Sequence, residues 1–378
     1  MEELRGVGSC VCWGCGSCER VFHVCGLGET MSTKGIRQIL SGMQPTGVPT
    51  LGNYMGAIRN WKNLQELVDK DGGDARSKVL YMVADYHSIT TNQEPEKLRS
   101  NILDLTATCL ASGLDPAKCS IFQQSSIPGH AALGWVASCA TPIGWLNRMT
   151  QFKEKAGKQK ERAGLGLFAY PSLMAADILL YKATHVPVGE DQRQHLEFTR
   201  DLATRMNLKW GKQVFVIPEP IYVKGSCVRV MSLKDGTKKM SKSDPSEMSR
   251  IEICDDADLI ARKIKKAKTD SLGTIDSSDK YLKQNRPEVH NLVSLHAALL
   301  DRDFEEVLLE FNGAQVSQVK QELIASTVSR ITPIGAEFKR LRADVPHLKS
   351  VLANGAEVAG GLAEKTMREV HACSGLGI

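Results

Sequence analysis

Three short apolar runs frame the chain, at residues 37–41, 79–84 and 120–123. Between the first two, Met55, Ile58, Trp61, Leu64 and Val68 recur near one helical face. Between the second and third, Pro95 stands at or near the first position of a helix that carries Leu98, Ile102, Leu105 and Cys109 at helical spacing. Strand, helix, strand, helix, strand at intervals of roughly 40 residues predicts an α/β fold built on a doubly wound, Rossmann-like parallel sheet. In such sheets ligands bind at the carboxyl ends of the strands. A short strand near Val186 and a last strand at residues 214–217 are expected to complete it.

Beyond Pro245 the pattern changes. Residues 257–268, 291–300, 304–311, 315–331 and 336–341 read as helices with few strand signals, which predicts a C-terminal all-helical domain. The expected division is a leader at residues 1–30, an α/β domain at 31–244 and the helical domain at 245–378. A chain of 378 residues has ample core for this.

The leader holds Cys10, Cys12, Cys15, Cys18 and Cys25. Four of these thiols, closely spaced, would suit Zn²⁺ or an iron–sulfur centre. A leader that is disordered or not in the mature protein is the reading taken, because Met31 opens Met-Ser-Thr-Lys-Gly just before the first strand; no metal site is expected. Glu2, Glu3, Glu19 and Glu29 argue against an organelle transit peptide, which would be poor in acids. The other six cysteines are scattered and read as reduced thiols, not a disulfide frame.

A net charge of +5 permits a nucleic-acid partner without demonstrating one. The cluster Arg262, Lys263, Lys265, Lys266 and Lys268 suits an RNA footprint and equally a solvated helix face. No apolar run approaches the roughly 20 residues of a membrane span. A cytoplasmic location is expected, with a mitochondrial or other organelle matrix as the alternative.

Four stretches carry chemistry. Residues 236–245 read Gly-Thr-Lys-Lys-Met-Ser-Lys-Ser-Asp-Pro, where small residues separate cations and Pro245 stops helix continuation. A mobile loop of this kind can carry ammonium groups to a polyphosphate. The first strand-to-helix turn, residues 42–53, is rich in Gly and Pro, and it matches neither G-x-x-x-x-G-K-[ST] nor G-x-G-x-x-G. Residues 170–181 place one acid, Asp177, in an apolar helical run, with Met174 on the same face. That acid is either exposed on a polar side or buried with a partner. Residues 186–192, Val-Pro-Val-Gly-Glu-Asp-Gln, read as a strand, a turn and a helix capped by Asp191. The charged run at 151–162 reads as an exposed helix or loop.

The string Lys239-Met-Ser-Lys-Ser243 resembles the signature loop of the class I aminoacyl-tRNA synthetases. By average composition it would occur by chance in on the order of one in ten thousand chains this long. Thr50-Leu-Gly-Asn53 occupies the place of that class's His-Ile-Gly-His signature, with both histidines replaced. The run around it, Gly42-Met-Gln-Pro-Thr-Gly through Asn53-Tyr-Met-Gly-Ala57, is similar to tryptophanyl-tRNA synthetases of bacterial and organellar type. The resemblance runs from about residue 37 to the C-terminus.

The resemblance implies a ligase that activates L-tryptophan with ATP and Mg²⁺ and transfers it to tRNA(Trp), as a homodimer. It implies ATP contacts from Gln44, Pro45, Thr46, Gly52, Asn53, Gly189, Glu190, Asp191, Val230, Lys239, Met240, Ser241, Lys242 and Ser243. Thr50 and Asn53, with Lys239, Lys242 and Ser243, would act on the phosphates. Tryptophan would meet Leu40, His87, Met174, Asp177, Val186, Val188 and Gln192, with Asp177 reading the indole nitrogen. Gln124 is a further candidate for that pocket. The helical domain would read the anticodon. Rival readings are a tyrosyl-tRNA synthetase, a small-molecule adenylyltransferase, and a tRNA-binding or regulatory paralogue without catalysis.

Overall fold

The structure, a computed structural model, describes residues 23–24, 38–69, 75–150, 164–189, 192–223, 229–242 and 244–377. The leader's cysteines, the charged run at 151–162, and Glu190, Asp191 and Ser243 lie outside these residues.

The sheet is parallel throughout. It comprises β1 (His23–Val24), β2 (Ile39–Met43), β3 (Val79–Val83), β4 (Ser120–Gln123), β5 (His185–Pro187) and β6 (Glu219–Val223), in the order β1-β6-β5-β2-β3-β4. The sheet thus takes in two residues of the segment expected to be a leader. From β2 the chain order runs outward through β3 and β4 on one side and through β5 and β6 on the other, so the crevice beyond β2 and β5 is a topological switch point.

Side chains alternate across the sheet with a period of two. Ile39, Val79, Tyr81, Val83 and Ile121 enter one apolar cluster, while Leu40, Leu80, Met82 and Phe122 enter the other. The expected helical face after β2 is buried as read, from Met55 through Val68. Trp61 stacks on Tyr81 with ring centroids 4.8 Å apart, and the Tyr81 hydroxyl donates to the Trp61 carbonyl at 2.6 Å.

Four expectations need correction. Residues 214–217 are not a strand. The Asn207 side chain takes the backbone there, accepting from Val214 N at 3.0 Å and Phe215 N at 2.9 Å and donating to Phe215 O at 2.8 Å. Those amides are therefore unavailable to a ladder, and pairing begins at Glu219. The helix after β5 starts at Arg193 with Gln192 as its N-cap residue, not Asp191.

Residues 315–331 and 336–341 belong to one helix, Val316–Ala343, which runs through Pro333. Proline and Gly335 read as a breaker in sequence. The glycine has a different cause: a Cβ there would lie 2.6 Å from the Ile253 carbonyl oxygen. A further helix, Val345–Ser374, was not anticipated. Its Asp344 N-cap accepts from His347 N at 3.1 Å, and Gly375 ends it in the left-handed conformation at φ +72°. This helix does not stay with the helices before it but seats on β4. At Gly355 an added Cβ would stand 2.0 Å from Ile121 O, so only glycine allows the approach.

Candidate active site

The turn after β2 and the lysine-rich loop meet at the switch point. Leu51 N donates to Ile251 O at 2.8 Å and Ile253 N to Pro49 O at 3.0 Å, which ties the segment following the loop to the turn. Within the loop, Met231 and Lys239 form an antiparallel bridge, and Met240 N donates to Val230 O at 2.9 Å. Val230 and Met240 are buried. A Cβ at Gly52 would meet Val230 Cβ and Thr50 Oγ1 at 3.5 Å, so the glycine keeps a flat backbone surface beside both.

Lys242 reaches back across this junction. Its Nζ donates to Gly47 O at 2.8 Å, and Gly47 itself has φ +118°, a conformation open to glycine. Burial lowers the Lys242 pKa to about 8. Lys239, next along the loop, is exposed. Gln44 and Thr46 fold the turn, with Thr46 N donating to Gln44 O at 3.0 Å, and Pro45 is buried between them.

Thr50 differs from the expected phosphate donor. It is buried, and its hydroxyl donates to Asn53 Oδ1 at 3.1 Å, while its backbone N–H donates to the same oxygen at 3.0 Å. With Oδ1 held, the Asn53 amide nitrogen points its two hydrogens elsewhere. Thr50 therefore orients Asn53.

The second centre is Asp177, on helix Leu165–Leu180, and it is 2 % exposed. The exposed alternative is thereby excluded. A buried carboxylate must be hydrogen-bonded. Gln124 Nε2 donates to Oδ1 at 2.7 Å; His130 Nδ1 lies 2.7 Å from Oδ1 and His87 Nε2 2.7 Å from Oδ2. Burial alone would raise the Asp177 pKa, but the hydrogen bonds from His130 and His87 outweigh it and hold the carboxyl below its ordinary range. The group is an anion at neutral pH.

Leu40, Val186 and Val188, expected in the same pocket, are buried together in one apolar cluster, against which Met174 packs. Gln192 caps the next helix, its N–H donating to Gly189 O at 3.0 Å. His130 and Tyr181 were missed by sequence reasoning. Tyr181 is four residues beyond Asp177 on the same face, a signal that spacing could have supplied. His130 comes from helix Gly129–Ala140 and has no local signal.

Residues 33–331 match the family described as tRNA synthetases class I (W and Y). Among relatives, the chain is 50% identical over 351 residues to the tryptophan–tRNA ligase of Rhizobium meliloti (strain 1021), covering 88% of this chain and 96% of that one. The tryptophanyl-tRNA synthetase structure from Mycoplasma pneumoniae superposes with a TM-score of 0.77 at 33% identity, covering 90% and 98% of the two chains. The tryptophanyl-tRNA synthetase from Campylobacter jejuni, complexed with ADP and tryptophan, gives a TM-score of 0.71 at 32% identity, over 90% of this chain and all (100%) of that one.

Proposed function

The chain belongs to the class I tRNA synthetases of the W and Y type, and on that premise we propose how its residues divide the work. The reaction is tryptophan–tRNA ligation: L-tryptophan and ATP give tryptophanyl-adenylate and pyrophosphate, and the acyl group then passes to the terminal ribose of tRNA(Trp). A carboxylate is already an ionised nucleophile at pH 7, so the first step needs no general base. It needs in-line placement and cations over the phosphates as charge moves to the leaving group.

Lys239 and Lys242 supply two of those cations, and Ser243, with Ser241, lines the same loop. Gly52, Val230 and Met240 bound the adenine, while Gln44, Pro45, Thr46 and Asn53 approach the phosphates. Gly189, Glu190 and Asp191 meet the ribose. The Asp177 carboxylate accepts the indole N–H, His87 helps to hold that carboxylate, and Leu40, Met174, Val186, Val188 and Gln192 form the rest of the tryptophan pocket. The carrying observation is the buried, anionic Asp177 held by Gln124, His130 and His87. With phenylalanine the acceptor position meant for the indole N–H would go unfilled, and sites built to hydrogen-bond a substrate N–H or O–H discriminate on the order of 10⁴.

Mg²⁺ enters with ATP, held mainly by phosphate oxygens. The two carboxylates and one thiol grouped at Glu252, Asp255 and Cys254 do not suit it. One ligand there is a thiol, Glu252 pairs with Arg250 at 2.8 Å, and Asp255 pairs with Lys263 at 2.5 Å. The helices after Pro245 bind the anticodon, the protein works as a homodimer, and its place is the cytoplasm. No helix among the described residues is long and apolar enough to cross a membrane.

Charging of unfractionated tRNA with each labelled amino acid tests the assignment. Tryptophan alone should be esterified to the terminal ribose. Charging with tyrosine would overturn the pocket.

A further inference from the structure

Asp177 has few acceptor positions to spare. An ionised carboxylate offers about four lone-pair sites. Gln124 and His130 occupy both sites of Oδ1, and His87 takes one of Oδ2. Among the described residues this leaves one site, on Oδ2, for a ligand donor.

His130 is fully buried and has a second partner: its Nε2 lies 2.7 Å from the Tyr181 hydroxyl. The ring is fixed on its faces as well, lying 6.1 Å from Phe122 with planes 26° apart. We propose that Tyr181 and His130 are positioning residues that set the acceptor geometry of Asp177 for the indole N–H, an inference that rests on the assignment of Asp177 to the indole.

The chemistry of the imidazole gives the mechanism. A neutral ring has one N–H and one bare nitrogen. When the Tyr181 hydroxyl donates to Nε2, the N–H must be on Nδ1, where it faces the carboxylate. Without that hydroxyl the ring is free to carry its proton on Nε2, which would set two lone pairs against each other at Oδ1. The carboxylate would then turn toward other donors and lose the alignment of its remaining site. Tyr181 is suited to the donor role, because burial, with the Asp177 charge, raises its pKa well above the ordinary value and keeps the hydroxyl protonated.

Tyr181→Phe removes only the hydroxyl and keeps the packed ring. His130→Asn keeps a donor near the Nδ1 position while losing the bond to Tyr181. ATP–pyrophosphate exchange should be measured for wild type and both variants with tryptophan and with its benzothienyl analogue, in which sulfur replaces the N–H. Tyr181→Phe should raise the KM for tryptophan roughly fivefold to tenfold, with kcat changed less than twofold. Its KM for the benzothienyl analogue should stay within twofold of wild type. His130→Asn should fall between wild type and Tyr181→Phe for tryptophan and leave the analogue unchanged.

Equal losses for both substrates would overturn the proposal, since a packing role does not distinguish N–H from sulfur. Unchanged kinetics in both variants would overturn it as well. If wild type itself treats the two substrates alike, the assignment of Asp177 to the indole fails first.

Discussion

The Lys242 ammonium donates to the Gly47 carbonyl at 2.8 Å, joining the signature loop to the first turn of the sheet. The loop is therefore parked on the first strand-to-helix turn, with its cation partly desolvated.

Nucleotide binding should take up protons. Burial brings Lys242 from its ordinary value of 10.5 to about 8, and phosphate oxygens would restore the charged form. At pH 8 the uptake should be roughly half a proton per ATP. Calorimetry in buffers of different ionisation enthalpy measures it. Lys242→Arg, charged at all working pH, should abolish the effect. Lys242→Ala should lower kcat by about 10² with little change in tryptophan KM.

The same shift affects stability, and the sign follows from proton counts. Between about pH 8 and 10.5 the unfolded chain holds a proton on Lys242 that the folded chain has shed. This residue's contribution to stability should therefore rise with pH across that window, and its penalty should be fully present below it. Urea unfolding of wild type against Lys242→Met, compared at pH 7 and pH 10, checks the direction.

Much of this arrangement could be read in the chain, and the reasons for the gaps are physical. Apolar runs gave β3 and β4 because strands buried on both faces leave a continuous signal. The run at 214–217 gave the same signal but is irregular chain, buried at Val214 and Phe215 and exposed at Ile217, since Asn207 satisfies its backbone, a contact that no periodicity records. Local signals were present for helix Val345–Ser374, in Asp344, Pro346 and Gly375, but Gly355, Gly360 and Gly361 obscured the pattern. Gly355 serves a contact more than 200 residues away in sequence. At the site, motifs located the loop and Asp177, whereas His130 could be found only once the helices were packed.

The seating of that last helix should respond to single methyl groups. Gly355→Ala would place its Cβ 2.0 Å from Ile121 O and should cost about 2 kcal/mol or more. Gly360→Ala meets nothing within 4 Å and should stabilise by about 0.5–1 kcal/mol. Urea midpoints of the two variants should move in opposite directions, and matching shifts would contradict the packing.

Replacing Asp177 with asparagine should separate the two substrates. The buried donors of His87, His130 and Gln124 would face a neutral amide, and kcat/KM for tryptophan should drop by about 10² to 10³. The KM for ATP should stay within about twofold, because the residues proposed for the nucleotide lie on other elements. A comparable loss in ATP KM would mean that Asp177 supports the fold and not the pocket.

Amino-acid-dependent ATP–pyrophosphate exchange should be run for all twenty amino acids on wild type and Asp177→Asn, since it reads the substrate and the role of Asp177 together. Wild type should exchange with tryptophan alone, and folded Asp177→Asn should lose that exchange. Exchange with tyrosine in wild type, or undiminished tryptophan exchange in the variant, would contradict the assignment.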